Sequence, residues 1–170
     1  MSDRESWPEE LDIAEAADVA WIKASGDSAL WHEAAMAALA YRGDPHGFLP
    51  WLVEQPAMDR ATAGWLFLWS EGTTYLRGER SFPYFDNISS QAYVDLMDAL
   101  CARSERIGFA SDRLGLDRDF EPQRQACITA IANGQVAPGI TIPCAITGKP
   151  FAPPNYGCGY QNEDGILFKG

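Results

Sequence analysis

The stretch from Asp59 to Ser70, which reads DRATAGWLFLWS, indicates the fold class of this chain. Asp59 is a residue type that caps helix N-termini, and the residues from Ala61 to Ser70 are apolar almost all round a helical projection. Because such a helix is normally buried, we expect this segment to be the central, most buried helix of the domain. Gly64 lowers its helix propensity by about 1 kcal/mol relative to Ala, which favours a role in close packing of a neighbouring helix.

An earlier amphipathic helix is predicted near the N-terminus. Ser6, Pro8 and Glu9 form the pattern of a capping box with a proline in the first turn. We therefore expect a first helix from there to about Ser25, with Gly26 as its left-handed end. On this helix three apolar residues would share one face and three acidic residues the other, namely Leu11, Trp21 and Ile22 against Glu9, Asp12 and Glu15.

Further capped helices are predicted along the chain. Asp27 can cap a second helix that runs to Gly43, and Pro50 fits the first turn of a short helix that ends before Pro56. After an aromatic-rich connection over residues 71–89, other helices are expected from Ser89 or Ser90 to Gly108 and from near Pro122 to Asn133.

The pattern changes after residue 134. Gln135 to Ile146 is rich in Val, Ile and Thr and is broken by two prolines, which favours short edge strands. A Pro-, Gly- and Asn-rich tail leads to a last strand, Ile166–Phe168. The fold class predicted is therefore mainly α, a compact single-domain helical array over residues 1–170. Its helical core covers 6–133, and a minor β element with Pro- and Gly-rich loops occupies the C-terminal quarter, 134–170.

Composition excludes several functional classes. The chain has 170 residues, 46% hydrophobic and 12% aromatic, which is typical of one folded domain and not of a disordered chain. Its formal charge of −11 argues against binding to nucleic acid, because such binding depends on cationic side chains. The start of the chain lacks the features of a secretory signal, and the apolar runs are too short to cross a membrane. We expect a cytoplasmic protein without a membrane partner.

The cysteines and glycine-rich motifs do not indicate a bound group. The four cysteines contain no C-x-x-C pair of the kind that holds zinc or forms a redox disulfide, and we expect free thiols: Cys101, Cys127, Cys144 and Cys158. The sequence also lacks a P-loop and the dinucleotide-binding pattern G-x-G-x-x-G. We predict no cofactor and no metal.

One segment resembles a known family. Trp31-His32 opens a predicted helix, a glycine and a proline follow a turn, and Asp59 stands shortly before Thr62-Ala63 at the start of an apolar helix. In this pattern the stretch from Leu30 to Arg77, residues 30–77, resembles the bacterial family called domain of unknown function 4274. The resemblance covers less than a third of the chain, and Arg42-Gly43-Asp44 departs from the Asn-Trp-Asp that the family tends to carry. It implies a mostly helical architecture and no known reaction.

The residues with the chemistry for catalysis cluster around one turn. The chain has only two histidines, His32 and His46, and with Asp44 and Asp59 they could bind a metal or move a proton. This pattern supports a small hydrolase or transferase as an alternative function. Asp44 and Asp59 are better explained as helix caps, because each precedes a predicted helix.

The charge distribution supports a different function. Residues 1–18 contain seven acidic residues and one basic residue, whereas residues 101–170 contain seven of each. An acidic surface can serve solubility alone, or it can dock a basic partner by complementary charge. Our leading hypothesis is a non-catalytic protein-binding protein, such as a bacterial immunity protein that neutralises a basic toxin, with Glu9, Asp12 and Glu15 as partner-binding residues.

Overall fold

A computed structural model describes residues 3–80 and 88–170. Helical conformations account for about 52% of these residues, which confirms the predicted mainly α fold class. No helix in the two described ranges is long and apolar enough to cross a membrane. The α-helices are Ala16–Ser25 (α1), Ser28–Ala37 (α2), Phe48–Val53 (α3), Arg60–Trp69 (α4), Gly72–Leu76 (α5), Ser90–Arg106 (α6), Glu121–Ala132 (α7) and Cys144–Thr147 (α8).

The central helix lies where it was predicted. Every residue of α4 from Arg60 to Leu68 is buried, and Asp59 caps the helix by accepting a hydrogen bond from Ala61 N at 2.9 Å. Gly64 does allow a close approach, although the neighbour is the ring of Phe151 in a loop and not another helix. A Cβ atom at position 64 would lie 2.5 Å from Phe151 Cζ.

Two further predicted caps, Asp27 and Ser89, also form. Asp27 accepts hydrogen bonds from Ala29 N and Leu30 N at the start of α2, and Ser89 accepts one from Ala92 N at the start of α6. Gly26 ends α1 in the left-handed conformation with φ 63°. After Ala37 the chain continues as a π-helix, Ala38–Arg42, which extends the second helical segment to the predicted stop at Gly43.

The prediction of a helix starting at Ser6 was wrong. A short 3-10 helix over Arg4–Ser6 is followed by extended chain and a strand, Glu10–Asp12 (β1), and α1 starts only at Ala16. The residues from Glu10 to Ile13 alternate between polar and apolar, which is the period of a strand. The apolar members of this alternation, Leu11 and Ile13, are 0% and 2% exposed, so their burial selects the strand.

The strand β1 joins a sheet with the other end of the chain. The C-terminal strands are Tyr160–Glu163 (β2) and Ile166–Lys169 (β3), and the order in the sheet is β1-β3-β2 with antiparallel pairing throughout. The predicted last strand is thus confirmed, whereas β2 lies in a segment predicted as loop. The minor β element lies in the C-terminal quarter except for β1, which comes from within the range predicted as helical core. A tight turn at Asp164 (φ 50°) and Gly165 (φ 92°) connects β2 to β3.

Three other predictions meet different outcomes. The edge strands expected between Gln135 and Ile146 do not form; this described segment is irregular, with one helical turn at α8. Its backbone forms a hydrogen bond with another segment, since Ala137 N donates to Leu76 O at 2.7 Å.

The connection over 71–89 contains α5, and its residues 81–87 lie outside the described ranges. Three cysteines are buried free thiols: Cys101, Cys127 and Cys158.

Candidate functional site

His32 lies inside the core and not in an accessible site. It is 1% exposed, its Nδ1 lies 2.8 Å from Thr62 Oγ1 of α4, and its ring stacks on Tyr156 with centroids 4.5 Å apart. Burial lowers the pKa of His32 to about 4, against a smaller opposite effect of the Asp59 charge. The ring is therefore neutral at pH 7 and is positioned as a packing residue.

Asp59 is fully buried, and its carboxylate accepts hydrogen bonds from more than one segment of the chain. One oxygen caps α4, while the other accepts hydrogen bonds from Ser111 Oγ at 2.7 Å and from Arg113 N at 2.9 Å. Arg60 N donates to Ser111 O at 2.9 Å beside this carboxylate. Asp59 therefore joins the start of α4 to the segment from Ser111 to Leu114.

Asp44 and His46 lie in the turn before α3, apart from the buried His32. Asp44 accepts hydrogen bonds from Phe48 N at 2.7 Å and Leu49 N at 2.8 Å, as its interpretation as a cap predicts. Burial raises the pKa of Asp44 despite these bonds. His46 is exposed, and its Nε2 lies 2.8 Å from Ala14 O.

The four candidate catalytic residues therefore do not form one site. His32 is buried on α2 and Asp59 is buried at the start of α4, whereas His46 is exposed on a turn. Within residues 3–80 and 88–170, no three His, Cys, Asp or Glu side chains are grouped so that they could hold a metal ion. The contacts of Asp44 and Asp59 are those of helix caps.

The three acidic residues assigned to partner binding do not lie on one helix face. Glu9 precedes β1 and pairs with Lys169 (Oε1 to Nζ, 2.5 Å). Asp12 lies in β1 and accepts two hydrogen bonds from Arg42, at 3.0 and 2.6 Å. Burial raises the pKa of Asp12, but the hydrogen bonds and charge of Arg42 and the bond from Ala14 N outweigh it, so the net shift is downward. Only Glu15, at the start of α1, is exposed without an ion pair in the described structure.

This placement changes what a charge reversal would do. On a helix face, replacing Asp12 by Lys would alter only the surface charge. In the structure the new ammonium group would lie beside the Arg42 guanidinium. It could not accept the hydrogen bond that Ala14 N donates to Asp12 at 2.8 Å. Reversal at Asp12 therefore disturbs the fold, and a test of docking needs other residues.

The sheet presents one face to the helices and one to solvent. Register and alternation place Leu11, Tyr160 and Leu167 on the buried face, where each is at most 5% exposed. The solvent-facing side holds two rows of cross-strand neighbours. We call it the outer sheet face, and its residues are Glu10, Phe168 and Gln161 in one row and Asp12, Ile166 and Glu163 in the other.

The outer sheet face combines apolar surface with negative charge. Phe168 lies in its middle strand and is 37% exposed, with Ile166 half-buried beside it. The carboxylates of Glu10 and Glu163 on the outer strands are exposed, and none of the ion pairs of the described residues involves either one. Arg42 at the edge pairs with Asp12. An exposed aromatic residue between unpaired carboxylates suits the docking of a cationic surface.

Sequence reasoning missed Glu10, Glu163 and Phe168 as candidate site residues. They come together only because β1 pairs with a strand more than 150 positions away. The available signal was the polar and apolar alternation from Glu10 to Ile13, together with the short apolar run Ile166–Phe168 near the other end of the chain.

Comparison of the chain with protein-family models finds no match, and neither does comparison with curated proteins or with solved structures. The resemblance of residues 30–77 to the domain of unknown function 4274 family therefore stays a prediction.

Proposed function

We propose that this protein is a non-catalytic binding protein that docks a basic partner protein on its outer sheet face. The observation that carries the proposal is the row of Glu10, Phe168 and Gln161 beside that of Asp12, Ile166 and Glu163. Exposed aromatic residues are enriched at protein interfaces, and complementary charge speeds encounter and rejects wrong partners.

The charge of the whole chain supports this function. The formal charge is −11, and the excess of acidic residues is concentrated in the first hundred positions. At physiological ionic strength the field of exposed charges extends about 8 Å, so unpaired carboxylates on the docking face act mainly in the encounter with the partner. A basic partner is steered to the outer sheet face and then covers Phe168.

The most concrete form of this function is an immunity protein that neutralises a basic toxin. Such inhibitors are often small, acidic and free of catalytic motifs, and this chain is acidic with a candidate docking face at its sheet. This assignment as an immunity protein rests on analogy with that class of inhibitors. A gene for a secreted toxin directly upstream of the coding gene would support it, whereas a metabolic operon would favour the enzymatic alternative.

Capture of the partner with matched variants tests the proposal. The wild-type chain, a Glu10→Lys/Glu163→Lys variant and a Glu79→Lys/Asp119→Lys variant are immobilised and exposed to lysate of the source organism. Both double variants change the net charge equally, and all four positions are exposed. Reversals at exposed positions should alter stability by no more than about 0.5 kcal/mol, which melting curves verify.

We expect the wild type and the Glu79/Asp119 variant to retain the same basic protein, with retention falling as salt rises. The Glu10/Glu163 variant should not retain it. Equal retention by both variants would show that the outer sheet face is not the docking surface. Retention that salt does not affect would argue against a basic partner.

A further inference from the structure

A small pocket lies between the N-terminal segment and the helices α1 and α2, next to the buried face of the sheet. Its volume is about 240 Å³. This is below the roughly 300–1,000 Å³ of pockets for drug-sized ligands, so it suits a compact chemical group. Its lining consists of Trp7, Trp21, Ala24, Ser25, Asp27, Leu30 and Cys158.

Trp7 and Trp21 of the pocket lining form a cluster of three aromatic rings with the neighbouring Tyr160. Trp7 stacks on Tyr160 with centroids 6.0 Å apart and planes inclined by 4°. Trp21 meets both rings edge-on, at 5.9 and 6.0 Å. Aromatic rings attract cations through their negative faces, and quaternary ammonium groups are bound by aromatic cages in this way.

The charges around the cluster favour a cation. Asp27 is the charged residue among the described residues that line the pocket, and the carboxylate of Asp18 acts electrostatically on the neighbouring Tyr160. The carboxylate of Glu9 acts on Tyr160 too, but it is paired with Lys169. The chain already places one cation on this cluster. The Arg4 guanidinium lies 5.9 Å from the centroid of the Trp7 ring, held by a hydrogen bond to Gly170 O.

We infer that this pocket binds an alkylammonium group, with Trp7 and Trp21 contacting the cation and Asp27 balancing its charge. Two sources share that chemistry: a free quaternary ammonium compound and a lysine side chain of another protein. The pocket is separate from the outer sheet face, because none of the described residues that line it belongs to that face. The inference therefore does not depend on the proposed docking surface.

The test is a titration of the full chain with choline, followed through the indole N–H signals of Trp7 and Trp21 in ¹H–¹⁵N spectra. The neutral isostere 3,3-dimethylbutan-1-ol is the ligand control. We expect choline to shift these signals with saturation and the alcohol to bind about tenfold more weakly, because only the cation gains the electrostatic attraction. Equal binding of choline and the alcohol would overturn the inference.

Asp27→Asn tests the charge without removing the helix cap, because Asn caps a helix as well as Asp does. We expect it to weaken choline binding about threefold, since one carboxylate beside a partly exposed cation contributes modestly. Asp44→Asn, a cap substitution at α3 outside this pocket, is the matched control and should leave binding unchanged. Equal affinities for wild type and Asp27→Asn would contradict the role of Asp27.

A parallel titration with Nα-acetyl-lysine methylamide separates the two sources. Tighter binding of the lysine derivative than of choline would assign the pocket to a protein side chain, and the reverse order would assign it to a free quaternary ammonium compound. Failure of both cations to shift the Trp7 and Trp21 signals would exclude an alkylammonium site.

Discussion

Replacing Asp59 by Ala should be the most damaging single removal of a carboxylate among the helix caps of this chain. Asp59 is 0% exposed, and besides capping α4 it accepts hydrogen bonds from Ser111 Oγ and Arg113 N. Truncation leaves these part-buried donors without their acceptor. Asp27 is the matched control, because it is half-buried and accepts only from the first turn of α2.

Asp59→Ala should lower the free energy of unfolding severalfold more than Asp27→Ala does. Loss of a cap costs about 1 kcal/mol, which is the whole expected effect of Asp27→Ala. Hydrogen bonds to a charged group contribute about 1.5–3 kcal/mol each. Because the two further bonds of Asp59 are part-buried, the lower value applies to each, and together they add about 3 kcal/mol. We therefore expect Asp59→Ala to lower the free energy of unfolding by about 4 kcal/mol, a large part of the 5–15 kcal/mol typical of a domain.

Urea unfolding followed by tryptophan fluorescence measures both costs, with the slope m expected to stay unchanged. If Asp59→Ala is too unstable to fold, Asp59→Asn still reports the loss of charge while it keeps an acceptor for Ala61 N. Equal costs for Asp59→Ala and Asp27→Ala would refute the role of Asp59 as the junction between α4 and the segment from Ser111 to Leu114.

Two further predictions concern His32 and Gly115. The folded-state pKa of His32 is about 4 and the unfolded value about 6.5, so the wild type should lose about 3 kcal/mol of stability through this group between pH 7 and pH 4. Urea unfolding should show a correspondingly smaller loss for His32→Gln; an identical pH dependence would contradict this. Gly115 has φ 71°, and a Cβ atom there would lie 2.2 Å from Pro153 O, whereas Gly26 has φ 63° and open space. In the same assay Gly26→Ala should cost about 1 kcal/mol and Gly115→Ala well over twice that; equal costs would be the contrary result.

The parts of the fold that could be predicted depend on neighbours in the sequence. Asp27, Asp59 and Ser89 cap helices because the groups they accept from lie two or three positions away. The apolar run of α4 indicates burial by itself. The prediction failed over residues 6–15, where a capping-box pattern and a strand alternation overlap, and only the remote strand β3 decides between them.

The candidate site was harder to predict for the same reason. Glu9, Asp12 and Glu15 share a face only if the segment is helical. In the strand β1, Glu10 and Asp12 lie on one face of the sheet. Phe168 and Glu163, from the far end of the chain, lie on the same face. The acidic character of the region could be predicted from composition, but its geometry depends on a pairing between the two ends of the chain.

Association kinetics test most directly whether the outer sheet face docks a basic partner. The rate of association with the captured basic protein is measured over a salt series for the wild type, Glu10→Lys/Glu163→Lys and Glu79→Lys/Asp119→Lys. We expect the Glu10/Glu163 variant to associate at least about tenfold more slowly at low salt, with a flatter salt dependence, and the Glu79/Asp119 variant to stay close to the wild type. Equal rates for the two variants at every salt concentration would contradict docking on the outer sheet face.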